Sequence, residues 1–154
     1  MKLKPFHFTL ESVRQLRQDA VDRAKDQMAQ EMLQLNREQQ NIDQIEGRIE
    51  QAREGFREAV SIGSNSGLVV QLRQFMVSLE QERTKRQSTL EGYRARVDAC
   101  RKALVAAKRK MEAMDRIRQK RHKEHLAKCS HEVQKDMDEL MLRRGTDGIG
   151  VKFA

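Results

Sequence analysis

Apolar residues recur along this chain at alternating spacings of three and four. From Val21 the pattern assigns seam positions a to Val21, Met28, Leu35, Ile42, Ile49 and Phe56. Positions d fall on Ala24, Glu31, Glu38, Ile45, Ala52 and Ala59, so ten of the twelve are apolar. A second seam begins after a glycine- and serine-rich stretch. Its a residues are Val69, Met76, Arg83, Leu90, Val97, Leu104 and Met111. Its d residues are Leu72, Leu79, Arg86, Tyr93, Cys100, Ala107 and Met114, and twelve of these fourteen are apolar. Such sustained heptad spacing, with Glu, Gln, Lys and Arg between, predicts a left-handed coiled coil.

The stretch between the seams is AVSIGSNSGLVV, Ala59 to Val70, in a chain whose one proline is Pro5. Ser61–Gly67 is too short to let the chain wander, so it predicts a turn that ends one helix and starts the next, with Ser64 or Ser66 as cap. The expected fold is all-α: a two-helix antiparallel coiled-coil hairpin with a longer second helix. The hairpin spans 1–144, with helices over 9–60 and 68–143, a turn over 61–67, and a flexible tail over 145–154. Thr9 is the expected cap of the first helix, with Glu11 in its first turn. Facing residues then have numbers that add to about 128, so Phe56 faces Leu72 and Ile42 faces Arg86. Glu38 and Arg86 come within reach of each other. The four charged seam residues differ in sign between the helices, which penalises wrong registers.

In this register the second helix outruns the first by about 20 residues, or about 30 Å. Beyond Met114 the apolar residues shift phase, to Leu126, Cys129, Val133, Met137 and Leu140. The expected overhang thus carries an apolar stripe with little of its own chain to cover it.

Composition agrees with a narrow seam rather than a broad core. Charged residues make up 35% of the 154, aromatics 4%, and there is no tryptophan. Mean hydropathy is −0.83. No run approaches 18 apolar residues, so no membrane insertion is expected. Met1–Leu10 lacks an apolar stretch of signal-peptide length, which points to the cytosol. Cys100 and Cys129 on one helix would lie about 43 Å apart and cannot pair.

The charge is concentrated. Arg101–Lys128 carries a net +8, and the rest of the chain balances. Such a segment suits nucleic acid, anionic lipid or an acidic protein surface, with a solvated face that has no partner as the alternative. It has none of the interleaved aromatics of single-strand binders, so no nucleic acid is expected. The turn end is apolar instead. Val60, Leu68, Val70, Phe75 and Val77 join seam residues in more apolar surface than two helices bury, and they form a candidate partner site. A loop folded over the tip is the alternative.

Catalytic signals are weak. There is no phosphate-binding G-x-x-x-x-G-K-[ST] loop, and GTDGIG follows no strand. His122, His125 and Cys129 share one helical face, but a fourth zinc ligand is missing. No metal, cofactor or catalytic residue is expected, and a hairpin two helices thick offers no cleft for an enzyme.

Three stretches carry a resemblance. PFHFTLESVRQLRQDAVDRA, with Phe6, Phe8, Leu10 and Val13, resembles the opening of the FliJ family of flagellar export proteins. SNSGLVVQLRQFMVSLEQE looks like that family's second-helix start. Glu132, Asp136, Asp138, Glu139 and Leu140 resemble its acidic close. Arg14 stands where the family often has an apolar residue. The resemblance implies a coiled coil similar to the stalk subunit of rotary ATP synthases. It implies a cytosolic protein under the flagellar basal body, peripheral to the inner membrane, serving flagellar biogenesis, motility and chemotaxis. Implied partners are the export ATPase ring, the export gate's cytosolic domain and export chaperones. The stalk of virulence type III secretion is the nearest alternative, and a basic coiled-coil adaptor for nucleic acid or anionic membrane is another. In the stalk reading, the tip residues named above meet the gate or a chaperone. Arg116, Arg118, Lys120 and Arg121, with Leu126, Val133, Met137 and Leu140, enter the ring.

Overall fold

A computed structural model describes residues 5–147. Two helices account for nearly all of them: α1, Glu11–Ser61, and α2, Ser66–Asp147, of 51 and 82 residues. There is no strand among the described residues. The fold is the expected all-α antiparallel hairpin with the longer second helix. Contacts divide the chain into Ala20–Ala107 and a second unit made of Met1–Asp19 with Lys108–Ala154.

Within Ala20–Ala107 the heptad reading holds at every seam position, each buried or half-buried. Ile45, Ile49, Ala52 and Leu79 form the centre, with Met76 packed against it. Ile49 beside Leu79 and Ala52 beside Met76 fit the predicted register. Glu38 is only 9% exposed although it is charged. Arg86 Nη1 donates to both its carboxylate oxygens at 3.3 Å, as the register requires. Those contacts and the bond to Glu82 raise the Arg86 guanidinium above its ordinary pKa, Glu82 contributing most. A second cross-helix pair, Arg53 to Glu80 at 3.4 Å, lies nearer the turn.

The turn is tighter than Ser61–Gly67. The Gly63 N–H donates to the Val60 carbonyl at 3.2 Å, and the Ser64 N–H to the Ala59 carbonyl at 2.9 Å. Gly63 has φ of 71°. This pair of bonds closes a helix on a left-handed residue, a conformation that glycine adopts without steric cost. Neither expected serine caps α2. Asn65 does: its Oδ1 accepts from the Gly67 N–H at 3.1 Å, and its carbonyl accepts from Leu68 at 3.0 Å.

In the other unit, α1 starts at Glu11 rather than Thr9. The Glu11 N–H donates to the Phe8 carbonyl at 3.1 Å, which makes Thr9–Leu10 a turn. The Thr9 hydroxyl accepts instead from Arg121 Nη1 at 2.7 Å. At the far end α2 continues to Asp147, past the expected stop at Arg143. Gly145 alone costs a helix only about 1 kcal/mol, which does not terminate it. The rest of the expected tail, Gly148–Ala154, lies outside the described residues.

Candidate partner surfaces

The apolar surface at the turn is formed by the first turns of α2 and the last turn of α1. Val60 is 53% exposed, Val70 52%, Val77 47%, Leu68 46% and Phe75 44%. All five lie off the a and d positions, so burying the seam leaves them outward. Ile62, not singled out from the sequence as a site residue, is the most open here at 72%. The short turn folds over none of them. Arg48 sits 5.8 Å from the Phe75 ring centroid, which places a cation on the face of an otherwise apolar side chain.

The basic segment is less uniform than its charge suggests. Arg116 is 81% exposed at its side chain, with Glu112 4.0 Å away. Lys120 is also exposed. Arg118 and Arg121 are engaged by the chain's own N-terminal segment. Arg118 Nε is 3.5 Å from Glu11 Oε2. Arg121 donates to Thr9 and lies 5.8 Å from the Phe8 ring centroid. Phe8 is 5% exposed. Phe6 packs edge-on against His122, with centroids 4.9 Å apart, and lies tilted against His125, with centroids 5.6 Å apart. The seam loses its apolar residues after Met114, and here Phe6 and Phe8 supply apolar surface from outside the helix.

The seam pattern does not predict this packing of Phe6 and Phe8. A phenylalanine pair before a helix gives no partner by itself. The available signal was the bare stretch DRIRQKRHKE at the matching level of α2. A recess of ≈ 240 Å³ lined by Phe6, Arg118, Gln119 and His122 marks the junction.

Beyond His125 the apolar stripe lies open. Leu126 is 53% exposed, Met137 58% and Leu140 54%, while Val133 is half-buried. Met141 and Leu142, outside the expected stripe, are 74% and 70% exposed. His125 Nε2 and Cys129 Sγ lie 3.5 Å apart, one helical turn removed. No group of three or more potential metal ligands forms among the described residues. No helix there is long and apolar enough to cross a membrane.

No curated protein and no solved structure matches the chain. One family profile does, described as "Flagellar FliJ protein", over residues 6–147. That span takes in the turn surface, the basic segment and the apolar stripe together. The chain belongs to the FliJ family and is, on that ground, an export-related stalk protein of the flagellum.

Proposed function

We propose that this protein is the stalk of the flagellar type III export apparatus, joining the export ATPase ring to the export gate and to substrate–chaperone handling. The observation that carries this reading is the contrast between its two partner surfaces. The turn is apolar and nearly uncharged. The second surface joins a +8 segment to the apolar stripe from Leu126 to Leu142. A ring with acidic groups in its central hole suits the second surface. Arg116 and Lys120 serve as outward charges, and Leu126, Val133, Met137 and Leu140 slide against the wall. Val60, Leu68, Val70, Phe75 and Val77 suit the gate's cytosolic domain or a chaperone. The protein works without catalysing a reaction, in the cytoplasm at the inner-membrane face, in support of motility and chemotaxis.

The test uses the purified ATPase. Truncation after Lys128 removes the stripe beyond Leu126, including Val133, Met137 and Leu140, but keeps the residues that hold Phe6 and Phe8. It should abolish ATPase stimulation and leave gate binding intact. Full stimulation by the truncated chain would refute the assignment.

The net charge supports one competing reading, a basic adaptor for nucleic acid or anionic membrane. Phosphate binding falls steeply with the logarithm of salt concentration. Tight, steeply salt-dependent binding to duplex DNA or anionic vesicles, without ATPase stimulation, would favour it. A virulence secretion stalk would instead stimulate only its own ATPase.

A further inference from the structure

Two buried polar atoms in the seam have no hydrogen-bond partner among the described residues: Glu31 Oε2 and Arg83 Nε. They bear opposite charge and sit on opposite helices, but at different levels. With facing numbers adding to about 128, Glu31 faces Val97 and Arg83 faces Ile45. Glu38 faces Leu90, and it reaches one turn along α2 for Arg86. Ile42 faces Arg86. Four seam layers therefore set a charged side chain against an apolar one.

Sliding the helices by one heptad, so that facing numbers add to about 121, changes this pattern. Glu38 then faces Arg83. Arg86 stands to Glu31 as it now stands to Glu38, because Glu31 lies one heptad earlier. Both orphaned atoms gain an oppositely charged partner in one step. The seam repeats every seven residues, so apolar layers are preserved elsewhere. Ile42 meets Leu79, Ile45 meets Met76, Ile49 meets Leu72 and Ala52 meets Val69. Charged–apolar layers fall from four to two, Glu31 with Leu90 and Leu35 with Arg86. The opposite slide places Glu38 against Val97 and Arg83 against Ala52, and neither orphan gains a partner.

The turn is long enough to permit the slide. Five peptide links join Ser61 to Ser66 and reach about 17 Å when extended. A one-heptad offset asks for about 10.5 Å along the axis and about 9 Å across, or about 14 Å in all. The turn also opposes it. The Gly63 closure and the Asn65 cap must open, and Phe56 and Ala59 lose their facing residues. The seam's charges, expected to penalise wrong registers, here favour the shifted one. The turn and the contacts Arg14–Asp115, Glu11–Arg118 and Thr9–Arg121 favour the observed one and keep the shifted register minor.

We propose that the hairpin over Ala20–Ala107 has a second, minor register one heptad away, in which Glu38 pairs with Arg83 and Glu31 with Arg86. An element with two discrete arrangements can carry a change at the turn along the rod. The inference rests on the seam alone and does not depend on the export role.

Cysteine pairs test it in the full chain, with Cys100→Ala and Cys129→Ala removing the native thiols. Ala52→Cys with Met76→Cys reports the observed register, and Ala52→Cys with Val69→Cys the second. Ala59→Cys with Met76→Cys reports the opposite slide and serves as control. Helicity is checked by circular dichroism, and intramolecular disulfides are quantified after mild oxidation. The 52–76 pair should dominate, and the 52–69 pair should form at least several-fold above the 59–76 control. Adding Glu31→Leu and Arg83→Leu should bring 52–69 down to the control while 52–76 persists. A 52–69 yield no higher than the control would overturn the proposal. So would a yield unchanged by the leucine substitutions.

Discussion

Arg14 Nε donates to Asp115 Oδ1 at 2.8 Å, joining the start of α1 to a residue 101 positions later. Arg14 also reaches Glu11, at 3.2 Å through Nη1. The hydrogen bond to Asp115, then that to Glu11, holds the Arg14 guanidinium above its ordinary pKa against the lowering effect of burial. An ion pair thus docks the start of α1 on α2.

That pair should fix the first turns of α1. Asp115→Ala is expected to increase hydrogen exchange at the amides of Val13–Asp19, with little change over Ile45–Ala52. The exchanged pair, Arg14→Asp with Asp115→Arg, should restore protection. Equal exchange in the wild type and Asp115→Ala would show that the pair carries no docking energy.

The seam centre and the open stripe should respond oppositely to truncation. Ile49 is 2% exposed and sits among Ile45, Ala52 and Leu79. Ile49→Ala should cost about 2–5 kcal/mol in denaturant unfolding. Leu126→Ala should stay within about 0.5 kcal/mol, because its side chain is half in solvent. Comparable losses at the two sites would mean that the stripe is covered.

At the turn, Gly63→Ala meets no steric neighbour, since an added Cβ has open space around it. Its cost should be conformational, about 1–2 kcal/mol, from the left-handed backbone. Asn65→Ala should cost about 1 kcal/mol through loss of the cap. Thermal unfolding measures both. Ser64→Ala and Ser66→Ala should be nearly neutral, and a larger loss at either serine would contradict the assignment of the cap.

The four cations of the basic segment should separate into two pairs. Arg116→Gln with Lys120→Gln should slow association with the ATPase ring and leave the melting temperature unchanged, as outward rim charges mainly set encounter rate. Arg118→Gln with Arg121→Gln should also loosen the Phe6–Phe8 segment, detected as faster proteolysis near the N-terminus. Identical behaviour of the two double variants would refute the distinction.

The turn surface should depend on Phe75. Phe75→Ala is expected to weaken binding to the gate's cytosolic domain about tenfold while helicity holds, because the ring is exposed and off the seam. Calorimetry with the isolated gate domain measures it. Undiminished affinity would remove Phe75 from the partner surface.

The seam, its register and the position of the turn were determined by the sequence itself. A heptad repeat is local: each a or d residue faces the partner because 3.5-residue spacing leaves it no other side. Two helices joined by so short a turn favour an antiparallel register near 128, which brings Glu38 within reach of Arg86. The open Phe75 and Leu126 follow from the same rule, being residues the seam does not use. Tertiary structure decided which polar groups had competitors. Thr9 is a good cap by type, but Arg121 claims its hydroxyl from 112 positions away. Ser64 and Ser66 are good caps too, yet Gly63 places Asn65 where its side chain meets the free N–H of α2. Phe6 and Phe8 found their partners only where α2 lacked apolar residues of its own. Helix periodicity is written in neighbouring residues, whereas the partner of a cap, a strap or an ion pair is set by what folding brings alongside.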